Sequence, residues 1–434
     1  MRRLKTISLS VAMLLIVVAA GSAWGEDAQP SAEGKNLPVA YQLGVNGYLR
    51  QELSRNFAIG DAVYAPGHDE GRFVYRLQPY AVWNPADSVG IRIEGQGYGI
   101  RGGYHQDDSR FALYQGYADL SLPGSELLSL RAGRQEFNYG SGFILSNDPF
   151  NDGLTFDSLR LRVKPAKEVT IDLLGGRYVR RFADDRKGVL AGVYAGYAPN
   201  DDSNVELYSF YDTGLEGRVN GDRLYVWGAR MTSKLGPVAV EVEPVYESGR
   251  LTSQALGTTD DIRAYGGHVD LGMEGQWRGL KNKISLGYAL GSGSQEAADG
   301  IRFNKEFKTP NSNASFSELL SVVGDLSGLD AGSSHASGIE SYTLSFGTDL
   351  PANLNLTFCN HYFRAQDVPS GFSKDIGIET TSYLTWTPMD NLSLMLAYTH
   401  LFSGGFFRDA TGTDRGVDIA FLQAQFDLSY KKTK

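Results

Sequence analysis

The sequence predicts an all-β fold, a single antiparallel transmembrane β-barrel of about 18 strands with short periplasmic turns and long extracellular loops. Three observations predict it. An export signal opens the chain, apolar and polar residues alternate with a period of two over segments of about ten residues, and short and long connections alternate along the chain. Together they favour strands that cross the outer membrane of a Gram-negative bacterium over a soluble fold.

The first 25 residues have the pattern of a secretory signal peptide. Positive charges at residues 2–5 precede an apolar stretch at residues 7–20, and Ala23 and Gly25 have the spacing of a cleavage site. The apolar stretch is short for a membrane span, so a single N-terminal anchor helix is the less favoured alternative. We therefore expect a signal peptide at 1–25, a periplasmic segment at 26–38 and a barrel at 39–430.

The composition supports an exported β-protein. The chain has 52 Gly, 24 Tyr and 21 Phe, with a mean hydropathy of only −0.26. Beyond the signal, no apolar run reaches the length of a membrane helix. The single cysteine, Cys359, excludes internal disulfides and C-x-x-C motifs. Removing Arg2, Arg3 and Lys5 with the signal changes the formal net charge from −9 to −12, which argues against nucleic acid as a partner.

Period-2 alternation marks the strands. Leu159, Leu161 and Val163, for example, alternate with arginine and lysine. The count becomes sixteen if the weaker segments 169–179 and 261–275 are not strands. The predicted strands are 39–52, 71–83, 88–98, 109–122, 127–137, 156–164, 169–179, 188–198, 203–213, 222–233, 237–247, 261–275, 281–290, 338–349, 353–364, 374–387, 391–402 and 416–430.

Every second connection is tight and usually contains proline, as at Asn84-Pro85 and Gly236-Pro237. The others are longer and polar, such as 53–70 and 138–155. Tight periplasmic turns and long extracellular loops are typical of outer-membrane barrels. The longest loop, 291–337, is extracellular by this parity, and it either constricts the pore or remains on the surface.

Tryptophan gives a second indication of the membrane boundary. Trp83, Trp277 and Trp386 lie at or beside short turns, where an aromatic girdle is expected at the periplasmic interface. Trp227 falls in the middle of a predicted strand and has no explanation in this scheme.

Charged residues within the strands must face the lumen, because a charge facing lipid at the midplane costs roughly 2–4 kcal/mol. The early strands then carry a basic row, partly offset by Glu52, Glu94 and Asp119, and later strands lean acidic. We expect a basic wall facing an acidic wall. An alternative is that these charges pair and only fill the barrel. The predicted basic row is Arg50, Arg72, Arg76, Arg92, Arg131, Arg160, Arg162 and Lys164. The predicted acidic row is Asp172, Glu206, Glu241, Glu243 and Asp427, and Lys283 is a basic exception among these later strands.

Motifs of enzymes are missing. No H-E-x-x-H, G-x-x-x-x-G-K or G-x-S-x-G run occurs, and the six histidines lack metal-ligand spacing. We predict no enzymatic activity, no cofactor and no metal site.

The run Gly133–Gly142 (GRQEFNYGSG), followed by Phe156–Arg162 (FDSLRLR), resembles a motif of the alginate-export family of outer-membrane barrels. The stretch Tyr398–Phe407 before the last strand is also similar. Three features depart from the family pattern: Ser158 stands in place of a favoured glycine, the turn at residues 388–391 is short, and the chain ends in KKTK after Tyr430.

The resemblance implies eighteen strands and an electropositive conduit that passes an anionic exopolysaccharide. The family's lumen arginines match Arg76, Arg134 and Arg160, although strand parity puts Arg134 outward unless the chain bulges at Gly133.

We predict an exporter of an alginate-like polysaccharide, with a general or anion-selective porin as the alternative. Candidate partners are outer-membrane lipid, the polysaccharide or small anions, and a periplasmic export machinery. The candidate pore-lining residues are Arg50, Arg76, Arg92, Glu94, Arg131, Arg134, Arg160 and Arg162.

Overall fold

The computed structural model shows an antiparallel barrel. The described residues are 39–58, 63–103, 108–147, 152–179, 188–214, 222–252, 259–294, 303–304, 317 and 324–433. The predicted signal peptide, 1–25, and the predicted periplasmic segment, 26–38, lie outside them.

Eighteen long strands make up the barrel within the described residues, and the strands β1 to β18 are numbered here along the chain. They are β1 (Val39–Ala58), β2 (Val63–Ala86), β3 (Val89–Gly102), β4 (Asp108–Ser121), β5 (Leu128–Gln135), β6 (Phe156–Ala166), β7 (Val169–Tyr178), β8 (Val189–Asn200), β9 (Ser203–Asp212), β10 (Arg223–Leu235), β11 (Val238–Thr252), β12 (Thr259–Trp277), β13 (Leu280–Gly291), β14 (Ser334–Leu350), β15 (Leu354–Asp367), β16 (Asp375–Met389), β17 (Leu392–Ser403) and β18 (Val417–Thr433).

Each barrel strand pairs antiparallel with its neighbours in sequence, and β1 also pairs with β18, which closes the sheet. Closure leaves no free sheet edge, whose backbone N–H and C=O groups could not form hydrogen bonds with lipid. Both weak segments are strands, β7 and β12, so the count is eighteen rather than sixteen. The predicted loop 53–70 is wrong in extent, because β1 and β2 continue as a hairpin through most of it.

The short turns have backbone geometry that suits a tight reversal. The one predicted short turn without proline, Arg278-Gly279, has both residues at positive φ, 51° and 78°. Two successive residues at positive φ are typical of a type I′ turn, whose twist matches that of the flanking strands. A local turn preference therefore fixes this end of the β12–β13 hairpin.

The outer face of the barrel is apolar. Leu43, Ile93 and Leu207 are more than half exposed, as are many other apolar residues at outward-facing strand positions. Alternate positions on the same strands carry the charged side chains of the interior. No helix among the described residues is long and apolar enough to cross a membrane.

Two belts of aromatic residues border this apolar band. Trp83, Trp277 and Trp386 are exposed near short turns, as predicted. Trp227, which the sequence left unexplained, pairs across the ladder with Tyr246. It belongs to a second row near the opposite end, whose other members include Tyr211, Tyr225, Tyr265, Tyr288, Tyr342 and Tyr362.

The extracellular end of the barrel contributes to a large buried apolar cluster. Helix α1 (Gly405–Thr411) lies between β17 and β18 and buries Phe406 and Phe407. These side chains belong to a buried cluster that includes Leu329 from the long loop. Of the predicted loop 291–337, residues 295–302, 305–316 and 318–323 lie outside the described residues. Its described parts include a short antiparallel ladder, in which Gly328–Ala331 pairs with the start of β14.

Candidate functional site in the lumen

The predicted basic row lies on the lumen side of β1 to β6. The register places neighbouring arginines side by side: Arg131 of β5 is directly opposite Arg160 of β6. Arg162 follows two residues later on the same face, and Arg92 of β3 lies opposite Tyr117 of β4. Alternation thus positions this wall as the sequence predicts.

Most of these arginines are neutralised by a carboxylate. Arg131 makes two bonds to Asp119, at 2.7 and 2.8 Å. Arg162 makes two bonds of 2.7 Å to Asp172 on β7. Such bidentate pairs fix the guanidinium plane.

Two further carboxylates, Glu52 and Glu94, pair with three more arginines of the row. Glu52 forms an ion pair with Arg50 at 2.6 Å and accepts a hydrogen bond from Arg72. Glu94 accepts from Arg92 at 2.8 Å. The interpretation that lumen charges pair is therefore correct for these residues, and the wall is less positive than a count of arginines indicates.

Arg160 differs from its neighbours. Its Nε is buried and has no hydrogen-bond partner, and its guanidinium has no carboxylate within ion-pair distance among the described residues. It lies between two arginines whose charges are already paired. Within the described part of the chain, Arg160 is therefore a cation of the basic wall without a carboxylate partner of its own.

Arg76 is buried and attached to other lumen groups. Its Nη2 donates to the Tyr114 hydroxyl at 2.8 Å, and it lies 3.9 Å from Glu136. Tyr114 points inward at a bulge, where the β3–β4 register shifts after Glu94. Arg76 thus anchors the segment that begins at Glu136.

Arg134 lies on the outer face, which corrects the lumen position that the resemblance implies. It pairs with Asp157 at 2.8 Å, and Asp157 has the outward parity of the exposed Leu159. Gly133 has a φ of 127°, but the β4–β5 and β5–β6 registers continue through it without a shift. No bulge turns Arg134 inward, so strand parity is the correct guide.

The segment between β5 and β6 is here called the lumen loop (residues 136–155). Its described residues, 136–147 and 152–155, fold into the barrel instead of standing outside as predicted. The Tyr139 hydroxyl donates to Asp172 Oδ2 at 2.9 Å, and the ring stacks on Tyr194 with centroids 4.5 Å apart. Phe137 and Phe143 are buried. Apolar packing and polar tethers together hold the loop inside.

The tip of the lumen loop reaches the opposite wall. Ser141 Oγ donates to Glu243 Oε2 of β11 at 2.8 Å, and the Phe143 ring lies 5.1 Å from His268 of β12. Gly140 and Gly142 have φ values of 59° and 79°, a conformation that glycine adopts readily. These glycines belong to the GRQEFNYGSG motif, which therefore builds the tight turn of a constriction.

The acidic wall contains a cation, Arg230, that is not among the predicted lumen residues. Arg230 of β10 bonds Glu206 at 2.6 Å and Glu241 at 2.7 Å, and it lies 3.8 Å from Glu243. Glu206 on β9 and Glu241 on β11 approach Arg230 from the two strands that flank β10. Only the pairing of β9, β10 and β11 reveals this network.

Glu241, Glu243 and His268 form a group that could hold a metal ion, with ligand atoms within 4.8 Å of one another. Their spacing in sequence carries no metal motif, because the β11–β12 register brings them together. Arg230 pairs with Glu241, and Ser141 and the Tyr208 hydroxyl donate to Glu243. Both glutamates therefore already accept hydrogen bonds from neighbouring side chains.

A cavity of about 770 Å³ lies in the lumen beside the basic wall. Arg76, Arg92 and Glu94 line it, together with amide side chains such as Gln78. Asn391, from the short turn between β16 and β17, also lines it, so the cavity reaches the periplasmic end. It is a polar vestibule below the constriction.

A closed barrel with an apolar exterior, two aromatic belts and a charged, constricted lumen defines an outer-membrane channel. The model of the family described as "Alginate export" matches residues 41–420, and the chain belongs to this family. Its place is therefore the outer membrane, and it is a channel rather than an enzyme. No curated protein matches the chain.

Solved structures of Pseudomonas aeruginosa outer-membrane barrels share the fold. OpdQ has a TM-score of 0.59 at 10% identity, with 90% of this chain and 99% of that chain covered. OpdL has a TM-score of 0.57 at 14% identity, with 90% and 98% covered. OccK2 (OpdF) in complex with glucuronate has a TM-score of 0.57 at 16% identity, with 90% and 98% covered. At these identities the likeness establishes the fold alone.

Proposed function

We propose that this channel exports an anionic, uronate-rich exopolysaccharide, and that Arg160 is its main carboxylate contact. The buried Nε of Arg160, which has no hydrogen-bond partner among the described residues and lies beside the constricting lumen loop, is the observation that carries the proposal. A guanidinium presents a planar fork that matches a carboxylate. A chain with one carboxylate per sugar would meet this fork as it passes.

The paired arginines around Arg160 suit transport better than a fully free row would. Arg131 and Arg162 already have carboxylates, so they offer a passing uronate partial contacts. Conduction requires binding that is strong enough for cargo to enter and weak enough for it to leave. One free arginine among paired ones meets both requirements.

The vestibule continues the positively charged, polar lining of the lumen toward the periplasm. Arg76 and Arg92 contribute positive charge to its wall, and Gln78 contributes an amide. We assign to Arg50, Glu94, Arg131 and Arg162 the role of lining and ordering this path. Delivery of the polymer by a periplasmic export machinery is part of the same proposal.

A second candidate is an anion-selective channel for small uronates. Two observations favour it: the lumen loop crosses to the β11–β12 wall, and a barrel of the same fold was solved in complex with glucuronate. The two candidates share the basic wall and differ in cargo length. Block by oligouronates of increasing length separates them, since only an exporter should bind longer oligomers progressively better.

The test compares Arg160→Gln with Arg134→Gln in planar bilayers. Arg134 is the matched control, because it lies on the outer face. A hydrogen bond to a charged group contributes about 1.5–3 kcal/mol, so Arg160→Gln should raise the half-blocking concentration of an oligouronate by about tenfold or more. It should also shift the reversal potential in a salt gradient away from anion preference. If both variants keep wild-type selectivity and block, the proposal is wrong.

A further inference from the structure

A second cavity lies at the extracellular end of the barrel, away from the lumen. Its volume is about 780 Å³, and Arg55, His400, Phe402, Arg415 and Asp418 contribute to its wall. The residues come from β1, β17, β18 and the segment just before β18.

The cavity opens on the lipid side of the sheet. Arg55 has the parity of Leu53, which is 52% exposed on the outer face, and the register sets Arg55 opposite Asp418 and Asp418 opposite His400. Phe402 has the same parity as His400 and is 60% exposed.

The carboxylates around the cavity are already engaged. Asp418 Oδ1 accepts from the Tyr398 hydroxyl at 2.6 Å and lies 2.7 Å from His400 Nδ1. Asp414 lies 3.7 Å from Arg408. The guanidinium groups of Arg55 and Arg415 make no hydrogen bond or ion pair with any residue that the structure describes. The cavity therefore has two cations available to a ligand.

The backbone that carries these arginines is held firmly. The Arg415 carbonyl accepts from the Tyr64 hydroxyl at 2.8 Å and from Ser403 Oγ at 3.0 Å. Asn56, buried and at a φ of 57°, donates its Nδ2 to the Gly416 carbonyl at 2.7 Å. The backbone of the site is thus fixed by hydrogen bonds that do not involve either guanidinium group.

The height of the site corresponds to the membrane boundary. A strand rises about 3.3 Å per residue and tilts by about 40° in such barrels. The stretch of β1 from Tyr41, in the periplasmic half, to Arg55 then spans about 35 Å, more than the apolar band of about 25 Å. Arg55 therefore lies at the level of the outer-leaflet headgroups, where a charge is tolerated.

We infer that this cavity binds the phosphorylated glucosamine headgroup of an outer-leaflet lipid of the lipid A type. Arginine forks bind phosphate oxygens bidentately, and basic pockets beside membrane spans recognise anionic headgroups. Phe402 and Tyr398 are exposed on the same face and offer apolar contact to acyl chains. This outward position favours a lipid over a soluble phosphate. The inference is independent of the cargo of the lumen.

The test is native mass spectrometry of the full chain in detergent, titrated with bisphosphorylated lipid A, its dephosphorylated form and glucosamine 1-phosphate. We expect one copy of bisphosphorylated lipid A to bind, and Arg55→Gln with Arg415→Gln to weaken it by at least tenfold. The matched control is Arg250→Gln with Arg364→Gln, which removes outer-face arginines that are paired with Asp261 and Glu340.

Heat-modifiable gel migration reports folding of each variant. If the double variant fails to fold, the single Arg415→Gln variant replaces it, since only the backbone of Arg415 is hydrogen-bonded. Unchanged lipid A binding in a folded variant would overturn the inference. Equal affinity for the dephosphorylated lipid would also overturn it. Glucosamine 1-phosphate binding as tightly as lipid A would overturn the lipid assignment.

Discussion

The lumen loop should act as a removable constriction, and two of the polar tethers that hold it are donated by Tyr139 and Ser141. The double variant Tyr139→Phe with Ser141→Ala deletes the donors to Asp172 and Glu243 while it keeps the aromatic ring at position 139. Both lost bonds, of 2.9 and 2.8 Å, end on carboxylates. The substitutions test whether the tethers, beyond apolar packing, keep the loop across the pore.

The expected size follows from these contacts. A hydrogen bond to a charged group contributes about 1.5–3 kcal/mol, so two of them contribute about 3–6 kcal/mol to the inward position of the loop. Their loss shifts the equilibrium toward an open loop by roughly 10²–10⁴-fold. Asp172 keeps its two bonds to Arg162, so the wall itself should remain intact.

Single-channel recording checks this prediction. We expect a higher mean conductance with larger open-state fluctuations than in the wild type. Tyr342→Phe is the control, because it removes a tyrosine–carboxylate bond of 3.0 Å to Glu340 on the outer face. Wild-type conductance and noise in the double variant would refute the role of the tethers.

Two substitutions test the barrel wall. Arg230→Met removes the bonds to Glu206 and Glu241, and it should lower the free energy of unfolding by about 3–5 kcal/mol. Urea titration followed by heat-modifiable migration measures this, and an unchanged midpoint would contradict the pairing. Gly133→Ala places a Cβ 2.3 Å from a carbonyl oxygen of the neighbouring strand at a φ of 127°, so we expect about 1–3 kcal/mol of destabilisation. Gly275→Ala, where a Cβ meets no atom within 4 Å, should have little effect in the same assay, and equal loss in both variants would remove the steric argument.

Strand number and the direction of most side chains could be predicted, because both follow from local rules. Alternation with a period of two fixes which face a residue occupies, and it placed Arg131 and Arg160 in the lumen. The same rule placed Arg134 outward, and the resemblance that implied a lumen position was wrong there.

Contacts between distant segments could not be predicted. The inward fold of the lumen loop depends on Ser141 meeting Glu243, two residues that only the closed barrel brings together. Arg230 joins Glu206 and Glu241 through the register of three strands, which no local pattern encodes. Trp227 acquired its place in the aromatic row in the same way, from strand pairing.

The most direct test of the central claim is block of the wild-type channel by oligouronates of increasing length, with neutral oligosaccharides of equal length as controls. Single channels are recorded in a planar bilayer, with the sugar added to the periplasmic side. We expect block by the uronates alone, at concentrations that fall as the oligomer lengthens, together with an anion-selective reversal potential. Equal block by neutral and anionic sugars, or a current that no uronate affects, would contradict it.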